Sequence, residues 1–149
     1  MRTTTIRRHA QLRQLADELI ARHYREPLTV AMLARRLGTS PRVLQRAYAQ
    51  TGRTTVAEQL RAARLQAGAE LLAEQSIAVA DVGRLVGFRS ASAFAAAFAR
   101  RFGLAPAAYR TAARAARARS APPVGAGRPG ARSARPITRP RTAATGPGR

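Results

Sequence analysis

Arg42, Gln45 and Arg46 have the spacing of a shared helical face, because the second and third residues follow the first by three and four positions. A guanidinium can bond O6 and N7 of guanine together, and a glutamine amide can bond N6 and N7 of adenine in the same way. The same trio on an ordinary surface helix would only be solvated. It therefore indicates base recognition only where its helix is presented to a groove of DNA.

The residues that carry most enzymatic and metal chemistry are scarce in this chain. There is no cysteine, and the two histidines, His9 and His23, have no matched pair of carboxylates beside them. No glycine-rich phosphate loop is present either. We therefore expect that the protein is not an enzyme and that it binds no metal and no other cofactor.

No stretch of the sequence is apolar over a sufficient length to anchor the chain in a bilayer. The longest apolar run, around residues 91–99, is too short to span a membrane, and the first residues lack the apolar core of a signal peptide. We expect a cytoplasmic, nucleoid-associated protein with no membrane partner.

The charge of the chain favours a polyanionic partner. Its 149 residues include 27 arginines, no lysine and seven acidic residues, which gives a formal net charge of +20. Nucleic acid is the first candidate and an anionic membrane surface a weaker second. Arginine, alanine, glycine and proline all have GC-rich codons, so genomic composition is an alternative source of charge, above all in the tail. Without residues 111–149 the chain keeps 18 arginines against seven acids, so the remainder is basic by itself.

Residues 1–110 show the apolar period of helices throughout, which predicts an all-α fold. An apolar stripe that starts at Leu12 predicts a first helix, which Pro27 ends. Thr29 is typical of a helix N-cap, and Ser40, with proline at the next position, is another. These signals predict two further short helices, the second of which runs to about residue 50.

A longer helix is predicted from Thr55 to about Ala73. Thr55 and Glu58 have the spacing of a capping box. Leu65 and Leu72 lie off the main apolar face of this helix, as expected if it packs against partners on two sides. We interpret it as a connector, whose roughly 19 residues span about 28 Å.

The pattern before the connector is repeated after it. Five residues recur at an offset of 49 and two more at an offset of 50: Val30, Leu33, Ala34, Leu37 and Gly38 match Val79, Val82, Gly83, Val86 and Gly87, and Leu44 and Tyr48 match Phe94 and Phe98. Each copy is a short helix with a small residue at its centre, a turn with glycine, and a second helix. We interpret the copies as two helix-turn-helix units, whose second helices read the DNA major groove.

Two segments carry a resemblance to a known family, PLTVAMLARRLGTSPRVLQRAYAQTGRTTVAEQLRAARLQAGAELL and SIAVADVGRLVGFRSASAFAAAFARRFGLAPAAYR. They resemble the DNA-binding domain of the AraC/XylS family of bacterial transcription regulators. The most specific part is Gly-Phe, then paired phenylalanines, then RRFG, then Pro106 and Tyr109. The family implies a first lobe at about residues 10–54, a connector at 55–73 and a second lobe at 76–110. Its recognition helices enter successive major grooves, which lie about 34 Å apart.

The resemblance also implies which residues touch DNA. In the first lobe Arg42, Gln45 and Arg46 occupy the base-reading positions, and in the second lobe Ala91, Ser92, Ala95 and Ala96 occupy them. Much of the family has glutamine, histidine or arginine in that second helix, whereas this chain has alanine and one serine. The predicted DNA-binding residues are Ser40, Arg42, Gln45 and Arg46 in the first lobe and Arg89, Ser90, Ser92 and Ala96 in the second. We predict that the first lobe specifies sequence, while the second grips the backbone and reads shape.

Three departures from the family pattern predict a looser second lobe. Gly68 in the connector should cost about 1 kcal/mol of helix stability relative to alanine. Ala78 replaces a capping serine, which should cost about 1 kcal/mol unless Ser76 takes its place. Gly83 stands where alanine is usual.

Residues 111–149 are rich in arginine, alanine, proline and glycine. We predict that this tail is disordered from about Ser120, with Thr111 to Arg119 extending a helix. Double-stranded DNA is the expected partner and RNA polymerase a further one, while a small-molecule effector is not expected for a chain of this length. The main alternative is a basic protein that binds or compacts nucleic acid without sequence preference. A standalone regulator and a piece of a larger one both fit.

Overall fold

The computed structural model describes residues 2–122, which form seven helices and no strand. In chain order the helices are α1 (Arg2–His23), α2 (Val30–Arg36), α3 (Pro41–Gly52), α4 (Val56–Glu74), α5 (Val79–Leu85), α6 (Ala91–Phe102) and α7 (Pro106–Ser120). The predicted all-α fold is confirmed. The expected disorder of the tail concerns residues that, from 123 onward, lie outside the described part of the chain.

Two hydrophobic cores divide the helices into two lobes. The first core lies between α1, α2, α3 and the start of α4, and the second lies between the rest of α4, α5 and α6, with α7 packed against it. The connector α4 contributes Val56 and Leu60 to the first core. It contributes Leu65 and Leu72 to the second. The connector therefore packs on two sides, as its sequence predicted.

The internal repeat is present in the fold. Helices α2 and α5 begin at Val30 and Val79, which are 49 residues apart, and α3 and α6 begin at Pro41 and Ala91, which are 50 apart. The extra residue falls in the turn between the two helices of the second unit. Both predicted helix-turn-helix units are thus confirmed.

The predicted caps fix where the helices begin. Thr29 and Ser40 accept hydrogen bonds from the backbone N–H three residues further on, at 3.2 Å and 3.3 Å. Thr55 and Glu58 form the reciprocal capping box, with bonds of 3.1 Å and 2.8 Å. Each bond satisfies an N–H group that the first turn of a helix leaves free.

Helix ends agree less closely with the sequence pattern. Helix α3 ends at Gly52 rather than near Gln50, and α4 ends at Glu74 rather than near Ala73. Helix α1 begins at Arg2, well before the apolar stripe from which it was predicted. Apolar periodicity identifies the packed part of a helix, and exposed turns beyond it leave no such signal.

Two glycines of the second lobe make room for one aromatic ring. A Cβ added to Gly68 would stand 2.9 Å from Cε2 of Phe94, and one added to Gly83 would stand 2.9 Å from its Cβ. Phe94 is fully buried between the helices that carry these glycines. The expectation that both glycines only loosen the lobe considered helix propensity alone. Their missing side chains allow α4, α5 and α6 to approach closely.

Helix α7 caps the end of the connector with arginines spaced four and three residues apart. Arg114 Nη2 donates to the carbonyl of Gln75 (3.1 Å) and to Ser76 Oγ (3.2 Å). Arg117 Nη1 donates to a carbonyl in the last turn of α4 (3.5 Å), and Arg110 donates to the Ile77 carbonyl. Residues 111–119 thus extend a helix, as predicted. Ser76 is engaged here, and α5 begins without a side-chain cap at residue 78.

Within residues 2–122 no helix is both long and apolar enough to cross a membrane. The same part of the chain holds no group of histidine and acidic residues that could bind a metal ion.

Candidate nucleic-acid interface

Three buried side chains set the rotation of α3. Leu44, Ala47 and Tyr48 are all 0% exposed and face the first core. The Tyr48 hydroxyl donates a hydrogen bond of 2.5 Å to Asp17 Oδ1 on α1. Burial, and then this bond to a carboxylate, raises the pKa of Tyr48 above its usual value. The phenol therefore stays protonated and holds α3 in one orientation.

A row of polar residues on α1 fixes the C-terminal end of α3. His9 Nδ1 lies 2.5 Å from Gln50 Oε1, and Arg13 Nη1 donates to Thr51 Oγ1 at 3.3 Å. The Arg13 guanidinium also lies over the Tyr48 ring, 5.2 Å from its centroid. Sequence reasoning missed this role, although His9, Arg13 and Asp17 repeat every four residues on one face of the helix.

The opposite face of α3 is exposed and basic. It presents the four residues predicted for the first lobe, Ser40, Arg42, Gln45 and Arg46, all of them exposed. The side chains of Arg42, Gln45 and Arg46 make no hydrogen bond or ion pair with any other group in the described part of the chain, and α3 contains no acidic residue. Ser40 Oγ accepts the capping bond of α3 and keeps its own O–H free to donate to a phosphate.

The second recognition helix, α6, is anchored in its core in the same way as α3 but presents a different outward face. Phe94 and Phe98, the counterparts of Leu44 and Tyr48, are both 0% exposed, so they anchor α6 in the second core. Their ring centroids lie 5.5 Å apart. The outward residues are small, with Ser92 and Ala96 exposed.

The entrance of α6 carries the polar groups of that lobe. Arg89 and Ser90 lie at this entrance, and both are exposed. Ser90 Oγ caps the helix by accepting from Ala93 N–H at 3.1 Å. Arg89 makes no hydrogen bond or ion pair within residues 2–122. An unpaired guanidinium at a helix N-terminus suits a phosphate group.

A cleft of about 500 Å³ separates the lobes along the connector. One wall is the start of α2 and the other is α6, including Ala96 of its outer face. Four arginines line it, Arg61 and Arg64 from α4, Arg89 from the second turn and Arg100 from α6, and no acidic residue does. Sequence reasoning missed Arg61 and Arg64, because no local pattern marks either arginine of the connector.

Comparison with known proteins agrees with this geometry. A family model described as a helix-turn-helix domain matches residues 33–112. The regulatory protein SoxS of Salmonella typhimurium is 30% identical over 102 residues, which are 68% of this chain and 95% of SoxS.

Two solved structures share the fold. A transcriptional regulator of the AraC type from Chromobacterium violaceum superposes with a TM-score of 0.67 at 25% identity, over 69% of this chain and 92% of that one. The DNA-binding domain of AdpA, crystallised in complex with a target DNA, superposes with a TM-score of 0.65 at 31% identity, over 69% of this chain and 93% of that one. The family match covers more than half of the chain, and the two lobes have the architecture of these structures. The chain therefore belongs to the AraC/XylS family of transcription regulators and carries the two-lobed helix-turn-helix DNA-binding domain of that family.

Proposed function

We propose that this regulator binds operator DNA with two unequal lobes, the first of which reads bases. The observation that carries the proposal is the contrast between the outward faces of α3 and α6. The face of α3 offers Arg42, Gln45 and Arg46, which have no partner elsewhere in residues 2–122. Buried Leu44 and Tyr48 hold that face outward. Guanidinium and amide groups in a major groove can discriminate guanine and adenine.

The second lobe binds DNA mainly through contacts with the sugar-phosphate backbone of the DNA. Ala91, Ser92, Ala95 and Ala96 stand at the base-reading positions, and three of these side chains cannot form a hydrogen bond. Their methyl groups can contact the methyl of thymine and can admit a close approach of the helix. Arg89 and Ser90 at the entrance of α6 bind phosphate. This lobe therefore adds affinity and sensitivity to groove shape more than base discrimination.

The cleft between the lobes supplies backbone contacts for the DNA between the two half-sites. Arg61 and Arg100 line this cleft, which has no acidic residue in its wall, and Glu58 lies beside both in an adjoining pocket. Phosphates that pair with these guanidinium groups release counterions from the DNA, which favours binding at low salt. Bound in this way, the protein would be associated with the nucleoid.

Selection of bound sequences from a random DNA pool tests the proposal. The full chain and a chain that ends after Pro122 should select the same motif, with a defined first half-site and a degenerate second half-site. A purely electrostatic binder would select no motif, and excess competitor DNA would strip it from every site. That result would favour the non-specific compacting protein. Two equally defined half-sites would show that the lobes read alike.

RNA polymerase is the second partner in this proposal, because a transcription regulator acts by changing polymerase access to a promoter. Transcription in vitro from a promoter that carries the selected motif measures the direction of the effect. A selected motif that leaves transcription unchanged at every position relative to the promoter would remove polymerase from the proposal.

A further inference from the structure

The loop between α1 and α2 is tied to the middle of the connector by one side chain. Arg64 Nε donates to the carbonyl of Tyr24 at 2.7 Å, and Arg64 Nη2 donates to the carbonyl of Glu26 at 2.8 Å. The planar guanidinium reaches both carbonyls at once, which a flexible ammonium group does less well. Arg64 is half-buried, and burial lowers the pKa of its guanidinium.

The same loop is held rigid from its other side. The Glu26 carboxylate accepts hydrogen bonds from Arg36 Nη2 at 2.9 Å and from His23 Nδ1 at 2.6 Å. These two bonds, that from Arg36 first, lower the pKa of Glu26. The carbonyl that Arg64 binds is therefore part of a loop with a fixed shape.

The turn of the second lobe lies directly against this junction. A Cβ added to Gly87 would stand 2.9 Å from Arg64 Nε and 2.9 Å from the Tyr24 carbonyl oxygen. Gly87 has a φ of +97°, which other residues adopt only with strain. The Tyr24 side chain packs against both hydrophobic cores. Parts of both lobes thus meet at one guanidinium.

We propose that Arg64 is a positioning residue that locks the two helix-turn-helix lobes at one separation and angle, and so fixes the spacing between DNA half-sites that the protein accepts. The inference rests on two hydrogen bonds to carbonyls of the first lobe and on the close approach of the glycine turn of the second lobe, which leaves no room for a side chain beside Arg64. It adds to the proposed function the feature that decides which pairs of half-sites are bound together.

A rigid pair of lobes is sensitive to the length of DNA between half-sites. One additional base pair moves a half-site by about 3.4 Å along the duplex and turns it by about 35°, since one helical turn contains 10–10.5 base pairs over about 34 Å. Two recognition helices on a fixed frame cannot follow that displacement. A frame with a loosened junction can follow it at a lower cost in affinity.

The junction can be tested without DNA. The chain has no cysteine, so Ala31→Cys on α2 and Ala80→Cys on α5 place one spin label at an exposed position of each lobe. The distance distribution between the labels should be narrow in the otherwise unchanged full chain. It should broaden when Arg64→Met removes both hydrogen bonds. Arg22→Met is the matched control, because Arg22 is exposed, carries the same charge and has no bond within residues 2–122.

The consequence for DNA is measured with operators whose half-sites are moved apart or together by one base pair. The ratio of affinities for the best and the shifted spacing should fall about fivefold or more in Arg64→Met, a change typical of coupled sites. The base preference within each half-site should stay the same, and Arg22→Met should keep the wild-type ratio. Arg64→Lys, which keeps the charge and not the planar fork, should give an intermediate ratio.

Two results would overturn the inference. One is a distance distribution in Arg64→Met as narrow as in the control. The other is an equal loss of affinity at every spacing with a shallower salt dependence, which would make Arg64 a phosphate contact. If Arg64→Met fails to fold, Arg64→Lys decides the question, and an unchanged distance distribution and spacing ratio in it would overturn the lock. The experiment with shifted half-site spacing rests on the proposed function. The spin-label distance measurement tests the junction even if no operator is found.

Discussion

At the scale of single residues, Tyr48 anchors the first recognition helix, α3, both in the first core and to α1. Its ring fills the first core, and its hydroxyl reaches Asp17 on α1 at 2.5 Å. Tyr48→Phe keeps the ring and removes a hydrogen bond to a carboxylate, so the free energy of unfolding should fall by about 1–2 kcal/mol. Denaturant unfolding measures the loss. Tyr109→Phe is the matched control, because its hydroxyl has no bond within residues 2–122, and equal losses in both variants would contradict the account.

Single residues also decide whether the first lobe reads bases while the second lobe contacts phosphates. Arg46→Ala removes a group proposed to read bases, so binding to the selected operator should weaken by about 1–3 kcal/mol while non-specific binding changes little. Arg89→Ala removes a proposed phosphate contact. It should weaken binding to all sequences alike and reduce the salt slope by about 0.9 units. Titrations of operator and mutated operator at several salt concentrations separate the two behaviours, and identical behaviour of both variants would reject unequal lobes.

Elements were predictable from sequence where their signals are local. Thr29, Ser40 and the Thr55 capping box each act within one turn of a helix, and the structure contains all of them. The repeat was visible because apolar residues recur at matched offsets. Long-range contacts leave no such pattern, so the row from α1 to α3 and the arginines of α7 that cap α4 were not foreseen. The exposed face of α3 was predictable for the same local reason, whereas Arg61 and Arg64 needed the arrangement of both lobes.

Gly83 shows how packing overrides propensity at the scale of an element. Helix propensity alone predicts that Gly83→Ala stabilises the protein by about 1 kcal/mol. The added Cβ would stand 2.9 Å from the Cβ of Phe94, an atom close to the backbone that cannot swing aside. We therefore expect a net loss of about 1–3 kcal/mol from overpacking, measured by thermal or denaturant unfolding.

Gly68→Ala is the informative comparison for that variant. Its Cβ would meet the far edge of the same ring, at Cε2 and Cζ, where a small tilt of Phe94 relieves the contact. The loss should therefore be smaller than for Gly83→Ala. If both alanine variants were more stable than the original chain, propensity would dominate and the packing role of the glycines would be wrong.

At the scale of the whole molecule, α7 makes the second lobe and the connector one unit. It continues past residue 110, where the resemblance places the end of the second lobe, and its arginines reach carbonyls at the end of α4. Those carbonyls would otherwise lack partners in the last turn of a helix. The Phe98 ring also meets Tyr109 at 5.2 Å between centroids. A truncation intended to leave the described helices unchanged must therefore end after Ser120.

Two truncations test that boundary. A chain that ends after Pro122 loses six arginines of the tail and no acid, so its non-specific DNA affinity and salt slope should fall while its unfolding midpoint stays unchanged. A chain that ends after Arg110 also loses Arg114 and Arg117, and its free energy of unfolding should fall by about 1–3 kcal/mol. In the chain that ends after Pro122, Arg114→Ala should reproduce part of that fall. Arg119→Ala in the same chain removes an exposed arginine without a bond in residues 2–122 and should not. Equal stability of the two truncations would mean that α7 beyond residue 110 contributes nothing to the fold.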